Sequence, residues 1–355
     1  MRRIVLTGGG TAGHVSPHLA LIPRLLSEGW DIHYIGTKQG IERQLIAPFE
    51  AVTYHAISSG KLRRYFDVKN FTDPFRVIAG SAQSLGLIRR LKPDVIFSKG
   101  GFVSVPVSYA AWLCGVPLVL HESDYTPGLA NRIIAPMAKA VCTSFPETAA
   151  MIAKGRGRFT GTPLRAELFT GNAAQACMRF GLCEGKATLL VTGGSLGAQA
   201  VNTAVRMALP KLLARFQVLH LCGNGNLDDA CDGMPGYHQI EYLSEGMNDA
   251  FAIADVVVSR AGSNTLMELL ALRKPTLYIP YPRSASRGEQ ESNARSMEKR
   301  GFAGVLLQEN MTPETLVAAI SDLYEQRQPM VSAMQQVPRD EGLEKVYDII
   351  MQHAK

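Results

Sequence analysis

Short apolar runs recur along the chain, and between them apolar residues return every three or four positions. Runs of this kind, without polar alternation, are typical of strands buried on both faces of a parallel sheet. The helical spacing between them indicates βαβ units, whose helices cover such a sheet on both sides. In the first part of the chain the predicted strands are 4–7, 32–35, 52–57, 95–97, 118–120 and 141–143.

The same pattern starts again after a glycine-rich loop predicted at 155–165. The second series of predicted strands is 188–192, 218–221, 240–243, 255–259, 276–279 and 305–307. The expected fold class is therefore α/β, with two Rossmann-like parallel-sheet domains facing a cleft that binds ligands at the strands' carboxyl ends. We expect domains at residues 1–163 and 164–340, with a C-terminal helix in 341–355 that packs back on the first domain.

The first strand leads into a glycine turn and then a helix. Gly8, Gly10 and Gly13 match G-x-G-x-x-G, the fingerprint of dinucleotide-binding proteins. That fingerprint also needs an acid at the end of the second strand to hold the ribose hydroxyls. Here the second strand ends in Gly36-Thr37, and Asp31 stands at its beginning. The sequence therefore disfavours an NAD-dependent oxidoreductase.

Composition narrows the class of partner. The 355 residues are 46% hydrophobic and 19% charged, which is typical of a globular protein, and the net charge of +6 favours an anionic partner. The basic residues form no recognised nucleic-acid motif, so we expect no nucleic acid as a partner. The longest apolar stretch, 105–120, is interrupted by Pro106, Gly115 and Pro117. It predicts a helix at 107–114 followed by a strand, and no membrane span.

Two loops in the second half are candidates for binding a diphosphate. Ser195 and Ser263 each follow a strand and precede a helix, where backbone N–H groups and a hydroxyl can meet phosphate charge. The alternative is that each serine is only the N-cap of its helix. The chain contains no Asp-x-Asp pair to hold a divalent metal. We therefore expect no metal, with Arg165 either neutralising the diphosphate or serving as a structural residue between the domains.

His14 stands in the first glycine turn, where an imidazole could take a proton near neutral pH. We expect it to act as a general base that activates the hydroxyl group of a substrate, or as a ligand of the diphosphate. His18, one turn later, is expected to be structural.

Basic and aromatic residues are interleaved over residues 60–92, a pattern that an anionic membrane surface attracts. The alternative is an amphipathic helix whose apolar face belongs to the core. The predicted membrane contacts are Arg64, Phe71, Phe75, Arg76, Ile78 and Trp112.

Seven motifs occur in order along almost the whole chain. They are Gly9-Gly-Thr-Ala-Gly-His-Val-Ser-Pro17, Lys99-Gly-Gly-Phe-Val-Ser104, His121-Glu-Ser-Asp124, Gly161-Thr-Pro-Leu-Arg165, Gly193-Gly-Ser-Leu-Gly-Ala198, Ser259-Arg-Ala-Gly-Ser-Asn-Thr-Leu-Met-Glu268 and Gln290-Glu-Ser-Asn-Ala294. In this series the chain resembles the MurG family, bacterial peptidoglycan N-acetylglucosaminyltransferases of GT-B fold. Ala12 stands where that family has a glycine, and Asp124 where some members carry Asn.

The resemblance implies transfer of N-acetylglucosamine from UDP-GlcNAc to lipid I, an undecaprenyl-pyrophosphoryl MurNAc-pentapeptide, to give lipid II. It implies an inverting displacement without a cofactor, at the cytoplasmic face of the cell membrane. Within the donor pocket, Glu268 would contact the ribose, Leu243 the uracil and Gln290 the sugar. A solvated helix charge is the alternative for Glu268. The full set of predicted UDP-GlcNAc contacts is Thr11, Ala12, Gly13, Arg165, Ser195, Leu243, Ser263, Asn264, Thr265, Leu266, Met267, Glu268 and Gln290.

Two further functions stay open at this stage. The first is another GT-B transferase that acts on a membrane lipid such as diacylglycerol. The second is a non-catalytic, nucleotide-binding scaffold at the membrane.

Overall fold

The computed structural model describes residues 1–60, 69–194, 197–243, 245–284, 286–339 and 341–355, with the side chains of 69–76 excepted. It divides into two compact units, Met1–Arg165 with Asp340–Lys355, and Ala166–Arg339. Both units are parallel α/β sheets, as the alternation of apolar runs predicts. In the described residues no helix combines the length and the apolar character that a membrane span needs.

The first unit is built on a seven-stranded parallel sheet in the order β3-β2-β1-β4-β5-β6-β7. Its elements are β1 Arg3–Gly8, α1 Ser16–Ser27, β2 Asp31–Thr37, α2 Ile41–Ile46, β3 Val52–Ile57, α3 Lys69–Leu91, β4 Val95–Gly100, α4 Ser104–Leu113, β5 Leu118–Glu122, α5 Leu129–Ile134, β6 Ala140–Thr143, α6 Pro146–Met151 and β7 Gly157–Phe159. The predicted loop at 155–165 therefore contains an edge strand, β7, which pairs with β6 from Val141↔Gly157 to Thr143↔Phe159.

The second unit carries a six-stranded parallel sheet in the order β10-β9-β8-β11-β12-β13. Its elements are α7 Ala173–Phe180, β8 Thr188–Thr192, α8 Gln199–Leu212, β9 Gln217–Leu221, β10 Tyr237–Ile240, α9 Met247–Ile253, β11 Val256–Ser259, α10 Ser263–Ala271, β12 Thr276–Tyr278, α11 Glu289–Lys299, β13 Ala303–Val305, α12 Pro313–Glu325 and α13 Arg327–Gln335.

Both edge strands of the second sheet differ from the prediction. β10 spans 237–240 and not 240–243, because Tyr237 pairs with Val218 of β9 and its hydroxyl lies 2.9 Å from His220 Nδ1. β13 spans 303–305 and not 305–307, because it pairs in register with β12 and Gly304 leaves room for Leu277.

The last helix, α14 (Gly342–His353), belongs to the first unit. Its residues Val346, Tyr347 and Ile350 are buried in the same cluster as Ile4 and Leu6 of β1. Burying three such side chains contributes about 1.5–3 kcal/mol each relative to exposure, so this helix is part of the core.

Candidate functional site

In the second unit, β8 and β11 lie side by side in the middle of the sheet. The strands that follow β8 and β11 in sequence are added on opposite sides of this pair. β9 flanks β8 on one side, β12 flanks β11 on the other, and Thr192 pairs with Ser259 where the two strands end. In open parallel sheets this switch of direction opens a crevice beyond the carboxyl ends of the strands, where ligands bind. The two glycine loops predicted to hold a diphosphate start here. Ser195 lies outside the described residues.

The start of α10 is one wall of that crevice. Gly262 is its N-cap, with φ −66° and ψ 132°, and as a glycine it supplies no capping side chain. The idea that Ser263 is merely an N-cap is therefore wrong, since Ser263 is the first helical residue. Among the residues that the structure describes, a Cβ placed on Gly262 would meet no atom within 4 Å. The described residues therefore leave room beside the N-terminus of α10, and the positive end of a helix suits an anion.

One face of α10 carries the predicted donor-binding side chains. Asn264, Thr265 and Glu268 are half-buried. Asn264 and Thr265 precede Glu268 by four and three residues, so each lies on the same side of the helix as Glu268. Leu266 and Met267 are buried, which leaves their backbone as the part that can reach a ligand. Glu268 is thus a half-buried carboxylate beside polar groups, rather than a fully solvated helix charge.

A buried arginine and asparagine hold the loops around α10. The guanidinium of Arg260 donates to the carbonyls of Ile279 (3.0 Å) and Pro280 (3.2 Å), and its carbon lies 4.1 Å from the centre of the Tyr281 ring. Burial lowers the pKa of Arg260. Asn293 on α11, fully buried, donates to the carbonyl of Ala261 at 3.3 Å. The sequence did not predict a role for either residue, although Arg260 lies in the motif at 259–268 and Asn293 in the motif at 290–294.

Gln290 lies on α11, which follows β12, and Leu243 lies on the loop that follows β10. The side-chain oxygen of Gln290, at the start of α11, accepts from the N–H of Tyr281 at 3.2 Å. This contact links α11 to the chain that leaves β12. Leu243 is half-buried and lies three residues after β10, not within a strand as predicted.

The first unit has a matching switch of direction between β1 and β4, and the glycine turn lies there. A Cβ on Gly8 would come within 2.6 Å of the His14 carbonyl oxygen, and one on Gly9 within 2.7 Å of the Glu42 carboxyl carbon. Gly10 has φ +91°, and a Cβ there would lie 2.6 Å from the Phe102 ring. Close packing therefore requires glycine at all three positions, and at Gly10 the backbone conformation requires it as well.

A buried carboxylate, which sequence reasoning missed, lies against this turn. Glu42 on α2 is fully buried and accepts from the N–H (2.9 Å) and hydroxyl (2.5 Å) of Thr37, with a longer contact of 3.4 Å from the Gly10 N–H. In a dinucleotide site the pyrophosphate would face these glycine N–H groups. Here the side chain of Glu42 lies beside these groups, where a pyrophosphate would otherwise bind. Asp31 pairs instead with Arg3 at the opposite end of β2.

His14 ends a short 3-10 turn at Ala12–His14. Its Nδ1 lies 2.8 Å from the Thr11 hydroxyl, which orients the half-buried ring. Thr11, Ala12 and Gly13 are exposed. His18 is fully buried beside Tyr34, and burial lowers its pKa to about 3, so it is neutral at pH 7 and structural in character.

Next to this turn, the ends of β4 and β5 carry a buried group of charges. Lys99 Nζ donates to the Ser123 hydroxyl at 2.5 Å, and burial lowers the pKa of Lys99 to about 8. Glu122 accepts from the Asp124 N–H at 2.9 Å and from the Asn131 amide at 2.8 Å. Burial, with the neighbouring Asp124, raises the pKa of Glu122. These contacts fix the turn at 123–128, which includes Asp124.

The remaining predicted residues are located as follows. Arg165 is exposed and is the last residue of the first unit before the second begins. Ile78 on α3 and Trp112 on α4 are 67% and 56% exposed, so neither belongs to the core. Arg64 lies outside the described residues, as do the side chains of Phe71, Phe75 and Arg76. Over the described ranges, no three His, Cys, Asp or Glu side chains group as metal ligands would.

Comparison with known proteins defines the class. Residues 4–143 match the glycosyltransferase family 28 N-terminal domain, and residues 188–352 match the glycosyltransferase family 28 C-terminal domain. The chain belongs to glycosyltransferase family 28. The two parallel-sheet units make it a GT-B glycosyltransferase, as the resemblance implied.

Within that class the chain belongs to the MurG family. It is 50% identical over 354 residues to the UDP-N-acetylglucosamine--N-acetylmuramyl-(pentapeptide) pyrophosphoryl-undecaprenol N-acetylglucosamine transferase of Geobacillus kaustophilus, covering 100% of this chain and 99% of that one. The protein of the same name from Clostridium perfringens is 47% identical, with 99% and 98% covered. The crystal structure of Acinetobacter baumannii MurG superposes with a TM-score of 0.79 at 24% identity, covering 99% and 100%. The calicheamicin glycosyltransferase CalG4 shares the fold at 14% identity, with a TM-score of 0.71 and coverage of 99% and 98%.

Proposed function

We propose that this chain transfers N-acetylglucosamine from UDP-GlcNAc to lipid I, forming lipid II at the cytoplasmic face of the bacterial membrane. The observation that carries the proposal is the near 50% identity, over essentially full length, to relatives named for this reaction. The crevice at β8 and β11, bordered by the start of α10, supports a nucleotide-sugar donor in the second unit.

In the proposed donor site, the first turn of α10 and Ser195 meet the diphosphate, and Glu268 accepts from the ribose hydroxyls. Leu243 packs on the uracil, and Gln290 contacts the sugar. An anion at a helix N-terminus gains typically 0.3–1 kcal/mol from the helix dipole in addition to its hydrogen bonds. These interactions, with Arg165, would compensate the charge of the leaving UDP without a metal ion.

The proposed chemistry is a direct displacement. His14 takes the proton of the acceptor hydroxyl, the oxygen forms a bond to the anomeric carbon, and the bond to UDP breaks with its electron pair leaving on the phosphate. The 2.8 Å contact to Thr11 supports this role because it orients the imidazole ring. The alternative is that His14 binds the diphosphate.

A single assay tests the reaction. The full chain is incubated with UDP-GlcNAc and a short-chain lipid I analogue, and UDP release is measured, with UDP-GalNAc and UDP-Glc as donor controls and diacylglycerol as an acceptor control. We expect turnover only with UDP-GlcNAc and the lipid I analogue. Turnover on diacylglycerol would favour another lipid glycosyltransferase, and UDP binding without release would favour a scaffold.

The same assay tests His14. His14→Ala should fold normally and lose most turnover, whereas His353→Ala, a change on the terminal helix, should keep it. Unchanged kcat in His14→Ala would exclude His14 as the base. If His14 is instead a phosphate ligand, the variant should bind UDP more weakly.

We further propose that the surface carrying Ile78 and Trp112 contacts an anionic membrane. Both side chains are exposed, and the ring of Trp112 lies 5.8 Å from that of Tyr109 on the same helix. Anionic liposomes should bind the chain at low salt and release it at high salt. Trp112→Ala should weaken binding, while Met207→Ala, which removes an exposed side chain of the second unit, should not. Failure to sediment with anionic liposomes at low salt would refute the proposal.

A further inference from the structure

A cavity of about 430 Å³ lies in the first unit, between the sheet at β5 and β6 and the segments that follow those strands. Leu120 and Val141 line it from the strands, and Ala135, Met151 and Ile152 line it from the covering segments. Small-molecule pockets usually measure about 300–1,000 Å³ and are mostly apolar. The size and lining of this cavity suit a hydrocarbon chain, and no step of the proposed transfer uses it.

The charges around the cavity are unequal. Arg132 and Lys154 line it and are exposed, and the half-buried Arg156 donates to the carbonyl of Pro136 at 2.5 Å. The carboxylate in the lining is Glu122, which is buried and already accepts from groups of the 123–128 turn and from an asparagine. The exposed, ionised part of the lining is therefore cationic, which complements an anionic head group.

The surface beside the cavity is apolar. α5, which contributes Arg132 to the lining, also carries Leu129 and Ile133, 57% and 46% exposed. α5 packs against α4, where Trp112 is exposed. Exposed apolar residues grouped on neighbouring helices mark contact sites for proteins or membranes, and the cationic lining beside them favours an anionic membrane lipid.

We propose that this cavity binds the hydrocarbon chain of an anionic membrane lipid, with the head group on Arg132 and Lys154. Because every methylene that leaves water adds to the binding, the hydrocarbon chain supplies most of the affinity. The two cations supply selectivity for charge. The site is distinct from the proposed donor site, which lies in the second unit.

The test uses the full chain and dodecyl phosphate below its micelle concentration, followed by titration calorimetry. We expect saturable binding of one molecule per chain, no saturable binding of inorganic phosphate, and at least tenfold weaker binding of dodecyltrimethylammonium. The titration contains neither UDP-GlcNAc nor an acceptor. Its outcome is therefore independent of the transferase assay.

Two variants locate the site. Arg132→Glu combined with Lys154→Glu should weaken dodecyl phosphate binding at least tenfold, and Ala153→Trp, an exposed position in the lining, should block it by filling the opening. Lys139→Glu combined with Arg43→Glu makes the same change of charge at exposed positions outside the lining and should leave binding within twofold. Melting curves confirm that each variant is folded. Absence of saturable binding, or equal loss in the control, would overturn the proposal.

Discussion

Replacing Glu42 by Ala should destabilise the first unit while leaving the second unchanged. The carboxylate is fully buried and accepts two short hydrogen bonds from Thr37, at 2.9 and 2.5 Å. A hydrogen bond to a charged group contributes about 1.5–3 kcal/mol net. Thr37 is half-buried and can regain some contact with water, so we take the lower end for each bond. The 3.4 Å contact with Gly10 adds little. The expected loss of unfolding free energy is about 3 kcal/mol.

Fluorescence can isolate this effect because both tryptophans of the chain, Trp30 and Trp112, lie in the first unit. Trp30 is buried, so its emission reports unfolding of that unit. With a urea m-value of about 2 kcal/mol/M, a loss of 3 kcal/mol lowers the midpoint by about 1.5 M. Glu42→Gln keeps the size and one oxygen acceptor, and should cost only about 1 kcal/mol.

The matched control is Glu50→Ala, an exposed glutamate of the same unit, which should change the unfolding free energy by less than about 0.5 kcal/mol. A midpoint shift below about 0.5 M in Glu42→Ala would contradict the assignment of Glu42 as the anchor of the glycine turn. So would an equal loss in Glu42→Ala and Glu42→Gln, because the Gln side chain keeps an oxygen that can accept both bonds from Thr37.

Three further predictions follow from single residues. Burial lowers the pKa of His18 from 6.5 to about 3, so its contribution to stability is full above pH 6.5 and falls as the pH drops toward 3, by about 2 kcal/mol at pH 5. In His18→Gln, the unfolding free energy measured by tryptophan fluorescence should fall less between pH 6.5 and pH 5 than in the unchanged protein. An equal fall in both would refute this. Gly10→Ala should lower the melting temperature by at least about 4 °C, because φ is +91° and the Phe102 ring is in the way; Gly86→Ala, in an open helical position, should not lower it. Glu268→Gln should weaken UDP binding at least tenfold without changing the melting temperature, whereas Glu298→Gln should not; equal affinities would remove Glu268 from the donor site.

The fold was predictable because buried parallel strands leave a simple trace in sequence. β1, β5 and β8 each contain three consecutive aliphatic residues, and every residue of these strands except Arg3 is buried. The errors fall on edge strands. β10, β13 and β7 are three or four residues long, and their bounds are set by pairing with one neighbour rather than by their own hydrophobicity. No local pattern distinguishes 237–240 from 240–243.

Site residues were predictable where a motif directly follows the end of a strand. They were missed where contacts between distant parts of the chain determine their position. The start of α10 follows β11 in sequence, so its glycine and polar residues could be assigned to a crevice. Glu42 could not, since its partner Thr37 ends one strand and Gly10 follows another. Arg260 and Asn293 lay within quoted motifs, but only the structure shows that they hold the loops beside α10.

The glycine turn of the first unit and the start of α10 in the second unit differ in the charged groups beside them. This difference bears on where a nucleotide binds. In the first unit the Glu42 carboxylate lies within 3.4 Å of the Gly10 N–H and against Gly9, so a phosphate on that side would meet a like charge. Beside Gly262 in the second unit the described residues leave room, and the glycine N-cap supplies no capping side chain. Like charges at close range cost free energy, whereas an uncapped helix start attracts anions. This difference supports the proposal that the nucleoside diphosphate binds in the second unit and not at the glycine turn of the first.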